Sequence, residues 1–303
     1  MRPPVSRSRW GSRAADRPGR RAARLTAPPG PDASCRAAAI RWPLPLLRPK
    51  DGGSCVLALI SDIHSNVSAL EAVLEDLRNQ GAETVYCLGD VVGYGPHPGE
   101  CLDLAMQFDL CLMGNHDHAV LLEPGGFNAA AEKAIFWTRE RLDAEPDAAL
   151  RGQRWEFLAG LPVHRFERQI LFVHGSPRRP LHEYIFPDDP QVNREKMATI
   201  FDRIPSVCFV GHTHMPGVFT EDYRFLTPGD LDSQFRIDQR RAVINIGSVG
   251  QPRDRDPRAC YCLFDGNRVL WRRVEYDVQA TVRGILEAPG LVNINAQRLR
   301  NGR

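Results

Sequence analysis

"CVLALISDIHSN", residues 55–66, opens as a short apolar run and closes on polar side chains. The run "VLALI" (56–60) is aliphatic throughout and stops at Ser61-Asp62, which is how a strand buried on both faces reads. Downstream, "VSALEAVLEDLRNQGA" (67–82) sets Val67, Leu70, Val73, Leu74 and Leu77 on one helical face, with Gly81 placed to end the helix. A buried strand, a polar loop and an amphipathic helix form the unit of a layered α/β protein.

The pattern recurs. "TVYCLG" (84–89), "DLCLMG" (109–114), "QILFVHG" (169–175) and "SVCFVG" (206–211) read as further strands, and "AAAEKAIFWTRERL" (129–142) as a helix with Asn128 as its N-cap. The chain then turns β-rich, with "RAVINIG" (241–247), "ACYCLFD" (259–265) and "RVLWRRVEY" (268–276). Five strands are followed at once by metal-capable residues: Asp62-x-His64, Gly89-Asp90, Gly114-Asn115-His116-Asp117, His174-Gly175 and Gly211-His212-Thr213-His214. Ligand sites in such sheets collect beyond the carboxyl ends of the strands. Singly, each loop reads as a surface turn and each histidine as a surface or core residue; together they read as one site.

Asp62, His64, Asp90, Asn115, His174, His212 and His214 offer two carboxylates, one amide oxygen and four imidazoles, without a thiolate. Mixed nitrogen and oxygen donors suit Mn, Fe, Co, Ni or Zn better than magnesium or calcium alone. Seven donors exceed one tetrahedral ion and fit two ions roughly 3.5–4 Å apart sharing a carboxylate. Such a pair lowers the pKa of a bridging water and clamps the oxygens of a phosphoryl centre.

In this order, "DIH", "GDVVG", "GNHD", "HG" and "GHTH" resemble the signature of calcineurin-like metallophosphoesterases. "NIGSVGQPRDRDPRACYCLFD" (245–265) is similar to the last strands of the family's small bacterial phosphodiesterase-like branch, so the likeness spans nearly all of the chain after residue 55. The resemblance implies an α/β (α+β) fold, a four-layer αββα sandwich of two mixed sheets flanked by helices, with a dinuclear metal site at one edge. It implies Asp62, His64 and His214 on one ion, Asn115, His174 and His212 on the other, and Asp90 bridging. It implies His116 in contact with the substrate phosphate, beside Asn115, and protonating the leaving oxygen. Asp117 is expected to orient His116; a carboxylate beside an imidazole favours the protonated ring that an acid requires. Gly114 is expected to let the chain turn sharply enough to present the three.

Two departures narrow the expectation. Tyr94 stands about where phosphoprotein phosphatases of the family carry a phosphate-gripping Arg. Gly93 stands where purple acid phosphatases carry a tyrosinate ligand, so a coloured Fe(III)–Tyr site is not expected. The expected activity is hydrolysis of phosphodiester or nucleotide pyrophosphate bonds by a hydroxide activated between two divalent ions, manganese first among Mn, Fe, Ni, Co and Zn. Alternatives are a phosphomonoesterase and, more distantly, a non-catalytic binding scaffold.

Composition sets outer bounds. With 303 residues, 43% hydrophobic, the chain can bury a sizeable core. Residues 1–50 hold eleven Arg and one Lys against Asp16 and Asp32, so the net charge of +2 leaves the remainder acidic, at about −8. An acidic body argues against a nucleic-acid partner, and no apolar run is long enough to span a membrane. Eight cysteines form no CxxC, and Cys87 and Cys208 lie in strand-like runs, which points to a reduced, cytoplasmic setting. No signal speaks to oligomeric state.

Residues 1–54, with nine prolines in the first fifty, are expected to be a disordered basic extension. They resemble a transit peptide or upstream sequence read through from a misplaced start, with Val56 as an alternative start. The expected organisation is a catalytic domain over 55–276 and a C-terminal helix or tail over 277–303.

Other polar groups have ordinary readings. His97 sits in a turn sequence, "GYGPHPGE"; His118 faces solvent; His164 and His182 carry no signal. Arg253 in "GSVGQPRD" is a candidate phosphate contact, against a plain glycine-rich turn. Arg178 and Arg179 read as a solvated pair, and residues 121–165 and 176–205 as insertions placed to cap the pocket.

Overall fold

The computed structural model describes residues 56–82 and 84–303; the expected N-terminal extension lies outside them. The elements run β1 (Leu57–Ile60), α1 (Val67–Asn79), β2 (Thr84–Cys87), α2 (Pro98–Ala105), β3 (Leu110–Cys111), α3 (Asn115–Leu121), α4 (Ala129–Asp143) and α5 (Ala148–Gly160). They continue with β4 (His164–Glu167), β5 (Ile170–Val173), α6 (Asp189–Val192), α7 (Arg194–Phe201), β6 (Val207–Val210), β7 (Gly217–Thr220), β8 (Arg224–Leu226) and β9 (Gln234–Arg236). The chain closes with β10 (Ala242–Asn245), β11 (Ala259–Phe264), β12 (Arg268–Val274), α8 (Val278–Glu287) and α9 (Asn293–Asn301).

Two mixed sheets result, ordered β3-β2-β1-β11-β12-β9 and β4-β5-β6-β10-β7-β8. The first is parallel from β3 to β1 and antiparallel from β11 onward. In the second, β5, β6 and β10 are parallel to one another, with antiparallel partners outside them.

Strand periodicity of two sorts the side chains into layers. Leu59 of β1, Cys260, Cys262 and Phe264 of β11, Phe172 of β5, Phe209 of β6 and Ile244 of β10 share one buried cluster, the filling between the sheets. Their neighbours point the other way. Ala58, Ile60, Tyr261 and Leu263 meet Leu70, Val73, Leu74 and Leu77 of α1, while Leu171, Val173, Cys208, Val210 and Val243 meet Met197, Ile200 and Phe201 of α7. This is the expected four-layer αββα sandwich. Asn66 caps α1 by accepting the Ala69 N–H, and Asn128 caps α4 as expected, accepting from Ala130 and Ala131.

The insertions do not form one cap. α5 lies in the outer layer, where Arg154 grips Asp103 of α2 with two bonds of 2.8 and 2.7 Å, and α7 packs on the outer face of the second sheet. The C-terminal segment is two helices, α8 and α9, whose Val282, Ile285, Ala296 and Leu299 pack with Tyr94 and with Ala131 and Ala134 of α4.

Candidate metal centre

The loops leaving β1, β2, β5 and β6 converge and are laced together through their backbones. Asp62 N–H donates to Gly89 O (2.9 Å), His64 N–H to Asp90 O (3.0 Å) and Gly211 N–H to His174 O (3.0 Å). The loop after β10 closes the seam, with Gly250 N–H on Asp62 O (2.9 Å) and Arg253 N–H on His214 O (3.2 Å). Asp62, His64, Asp90, His212 and His214 all adopt left-handed backbone, with φ of 54°, 49°, 55°, 67° and 59°. Each such non-glycine residue costs on the order of 1–3 kcal/mol and persists only where its surroundings over-determine it, as they do at functional sites.

The side chains form two adjoining clusters. In one, His214 Nε2 lies 3.2 Å from Asp62 Oδ1 and 3.2 Å from His64 Nε2. In the other, His174 Nε2 lies 3.1 Å from Asn115 Oδ1, 3.0 Å from His212 Nδ1 and 3.3 Å from Asp90 Oδ2. Asp90 joins them, because the same Oδ2 lies 3.6 Å from His64 Nε2. All seven residues are at most 4% exposed.

The donor set fits cations. Nδ1 of His64, His174 and His214 each meets a backbone carbonyl, those of Val92 (3.1 Å), Leu88 (3.0 Å) and Gln251 (2.5 Å). A carbonyl only accepts, so each Nδ1 carries a proton, and the Nε2 of each neutral ring turns a lone pair inward. Lone pairs and carboxylate oxygens facing one another within 3–4 Å repel unless positive charge lies among them. Burial pushes His64, His212 and His214 down towards the neutral ligand form. Burial also opposes ionisation of Asp62 and Asp90, but neighbouring imidazoles outweigh it, His214 for Asp62 and His174 for Asp90, and hold both carboxyls below the usual range. Against its burial, His174 is raised to about 9, chiefly by Asp90. The centre therefore draws positive charge.

Asp117 departs from expectation. Asp117 does not orient the His116 ring. Its Oδ2 accepts from Asp90 N (2.8 Å) and Gly114 N (3.0 Å), and its Oδ1 from Val92 N (3.1 Å). It is a brace that ties the first turn of α3 to the β2 loop. Burial and the Asp90 charge push Asp117 up to about 7, against the pull of the Gly114 and Val92 N–H groups. The His116 ring is instead held by packing, with centroids 4.5 Å from Tyr94, 4.9 Å from Phe127 and 4.9 Å from His64. Burial lowers His116 to about 4, so its ring is neutral at pH 7, and its Nδ1 has no hydrogen-bond partner.

Gly114 also has a different reason from the expected sharp turn. Its φ of −90° is open to any residue, but a Cβ there would sit 2.1 Å from Asp90 Oδ1. Asp90 Oδ1 accepts the His116 N–H at 2.8 Å, so closeness of two backbones is what glycine supplies.

Arg253 reaches the rim, its guanidinium 5.9 Å from the Tyr94 ring centre and 2.8 Å from Gln251 Oε1. Arg178 is committed to Glu183 (3.1 Å) and Thr199 (2.7 Å). His97 is the N-cap residue of α2, and His118 pairs edge-on with His182, 5.6 Å between centroids. Sequence reasoning missed Tyr184, whose ring lies face to face with His212 at 3.7 Å. Its aromatic character just beyond the His174-Gly175 loop was the available signal.

With this geometry in place, the chain can be set beside known proteins. The model of the calcineurin-like phosphoesterase superfamily domain matches residues 56–268. An uncharacterized protein of Methanocaldococcus jannaschii is 36% identical over 243 residues, covering 77% of this chain and 92% of that one. The crystal structure of a metallophosphoesterase from Sphaerobacter thermophilus is 35% identical, with a TM-score of 0.68, covering 83% of this chain and all of that one. A hypothetical protein from Pyrococcus horikoshii OT3, 24% identical with a TM-score of 0.63, shares the fold, covering 82% of this chain and 99% of that one.

Proposed function

The chain belongs to the calcineurin-like phosphoesterase superfamily and is a hydrolase of phosphoric esters, and from that premise we propose that it is a two-metal enzyme cleaving phosphodiester or nucleotide pyrophosphate bonds. The observation that carries this reading is the pair of clusters Asp62–His64–His214 and Asp90–His174–His212, joined through one oxygen of Asp90. Asp62, His64 and His214 would hold one divalent ion, Asn115, His174 and His212 the other, with Asp90 shared. Bound there, such ions polarise phosphoryl oxygens and make a water nucleophilic near neutral pH.

The chain's own groups divide the remaining work. His116, walled by Tyr94 and Phe127, contacts the phosphate and hands a proton to the leaving oxygen; an anionic phosphate beside it supplies the charge that favours its protonated form. Asn115 lies next to it, and Arg253 adds one positive charge at the rim. Tyr94 is buried under His116, where a phosphatase would present an arginine, so this single added charge suits a monoanionic diester better than a dianionic monoester. Residues 55–276 form the catalytic domain in this reading, with 277–303 a helical C-terminal segment. The described cysteines are free and buried, supporting a reducing, cytoplasmic setting. Among the described residues, no helix is long and apolar enough to cross a membrane.

The test is parallel turnover of bis(p-nitrophenyl) phosphate, p-nitrophenyl phosphate and a dinucleoside tetraphosphate by manganese-loaded protein. The diester and the tetraphosphate should exceed the monoester by about tenfold or more, a difference of about 1.4 kcal/mol in barrier. A monoester preference would make it a phosphomonoesterase. No turnover with two ions bound would make it a binding scaffold.

A further inference from the structure

Beyond the loop that ends at Gly175, the chain runs as Tyr184-Ile185-Phe186. Ile185 is 1% exposed and sits in the core under the second sheet, whereas Tyr184 and Phe186 are 37% and 46% exposed. With Ile185 buried between them, both rings are turned outward together. They stack on each other with centroids 5.2 Å apart and planes within 6°. Tyr184 in turn stacks on His212 at 3.7 Å and 22°, so a ladder of rings leads from the metal centre to solvent.

The ladder is also firmly held. Phe186 N–H donates to Asp189 Oδ2 at 2.6 Å, and Lys196 pairs with that oxygen at 2.5 Å. Upstream, Ser176 Oγ bonds the Glu183 carboxylate and accepts the N–H groups of Arg178 and Arg179 at 3.1 Å. Tyr184 lies between the His212 and Phe186 rings, so the exposed part of Phe186 is the end of the ladder that a further flat ring can meet.

We propose that Tyr184 and Phe186 form a stacking platform for the nucleobase of a nucleotide substrate whose phosphate lies at the metal centre. The proposal rests on the phosphoesterase reading for the phosphate and on the ring ladder for the base. Stacking tolerates any base but favours the larger purine face, and every base carries a π-face for Phe186 to meet.

The test uses the full chain loaded with manganese and measures binding of AMP, ribose 5-phosphate and adenosine by titration calorimetry, with adenosine also followed by saturation-transfer NMR. AMP should bind about tenfold tighter than ribose 5-phosphate, and Phe186→Ala should close most of that gap. Adenosine should show saturation transfer with the natural chain and little with Phe186→Ala. Equal binding of AMP and ribose 5-phosphate, or a gap unchanged in Phe186→Ala, would overturn the platform. Adenosine has no phosphate, so its binding separates the two readings: retained adenosine contact without any ester hydrolysis would sink the phosphoesterase reading alone.

Discussion

His64 and His214 face each other through their Nε2 atoms, 3.2 Å apart, with rings stacked at 4.9 Å and 23°. Each ring is fixed from behind by a carbonyl, Val92 O for His64 and Gln251 O for His214. Two lone pairs are thus pointed at one another in a fully buried place. Bound cations turn that repulsion into ligation, and because ions bind the folded chain far better than the unfolded one, they stabilise it.

Chelation should therefore lower the melting temperature. An ion at one hundred times its dissociation constant contributes about 2.7 kcal/mol, and each kcal/mol shifts a domain of this size by about 2–4 °C. With two ions removed, a fall of about 10–20 °C on adding EDTA is expected by calorimetry. An unchanged midpoint after metal analysis shows the ions removed would contradict it.

Asp90→Asn should cost both ions, because one carboxylate oxygen serves both clusters. Mass-spectrometric metal analysis should fall from two ions per chain to fewer than one, with activity down about 100-fold or more. Two ions retained in the variant would remove Asp90 from the bridging position.

His116 and Asp117 should separate cleanly. His116→Ala should keep its metal content and lose about 10²–10⁴ in kcat. Asp117→Ala releases the N–H groups of Asp90, Val92 and Gly114 in a buried place, so it should lose metal and stability together, by about 1–3 kcal/mol for each orphaned group. Equal metal contents in the two variants would show that Asp117 does not brace the Asp90 loop.

Gly114→Ala should destabilise by about 1–3 kcal/mol in urea melts, since its methyl collides with Asp90. Gly125→Ala, at a site with open space around it, should stay within about 0.5 kcal/mol. Identical midpoints for the two variants would refute the close-approach argument.

What could be seen from sequence follows from how local each signal is. β1, β2, β5 and β6 are apolar runs ended by polar residues, and that pattern is complete within a few neighbouring positions. Six of the seven donor residues came with it, since each sits at or just past such an end; Asn115 follows the two-residue β3 in the same way. α3 was hidden because its first turn is Asn-His-Asp, without an apolar stripe. β7 and β8 are strands of four and three residues that pair with each other as a hairpin, β7 also with β10, so neither is long enough to announce itself as a run. Asp117 was misplaced because its partners at Asp90 and Val92 are 27 and 25 residues away, while His116 is its sequence neighbour. The Tyr184–His212 stack is non-local in the same way.

Away from the centre, Asp76 of α1 offers a pH-dependent test of how the helix is fastened to the first sheet. Its Oδ2 accepts the hydroxyl of fully buried Tyr261 at 2.6 Å, and Arg272 grips both oxygens at 2.7 and 2.9 Å. Burial pushes the Asp76 carboxyl up, but the bonds from Arg272 and Tyr261 outweigh it and hold it below its ordinary 3.8. A depressed folded-state pKa contributes stability that is present above the unfolded value and fades as pH falls through the folded one. Asp76→Ala leaves the Tyr261 hydroxyl buried without its acceptor and should cost about 1–3 kcal/mol at pH 7. Its gap to the natural chain should hold from pH 7 down to about 4 and narrow below that, as Asp76 takes up its proton. Urea melts across that range check it; a gap that widens on acidification would mean that the carboxylate charge is not what fastens α1.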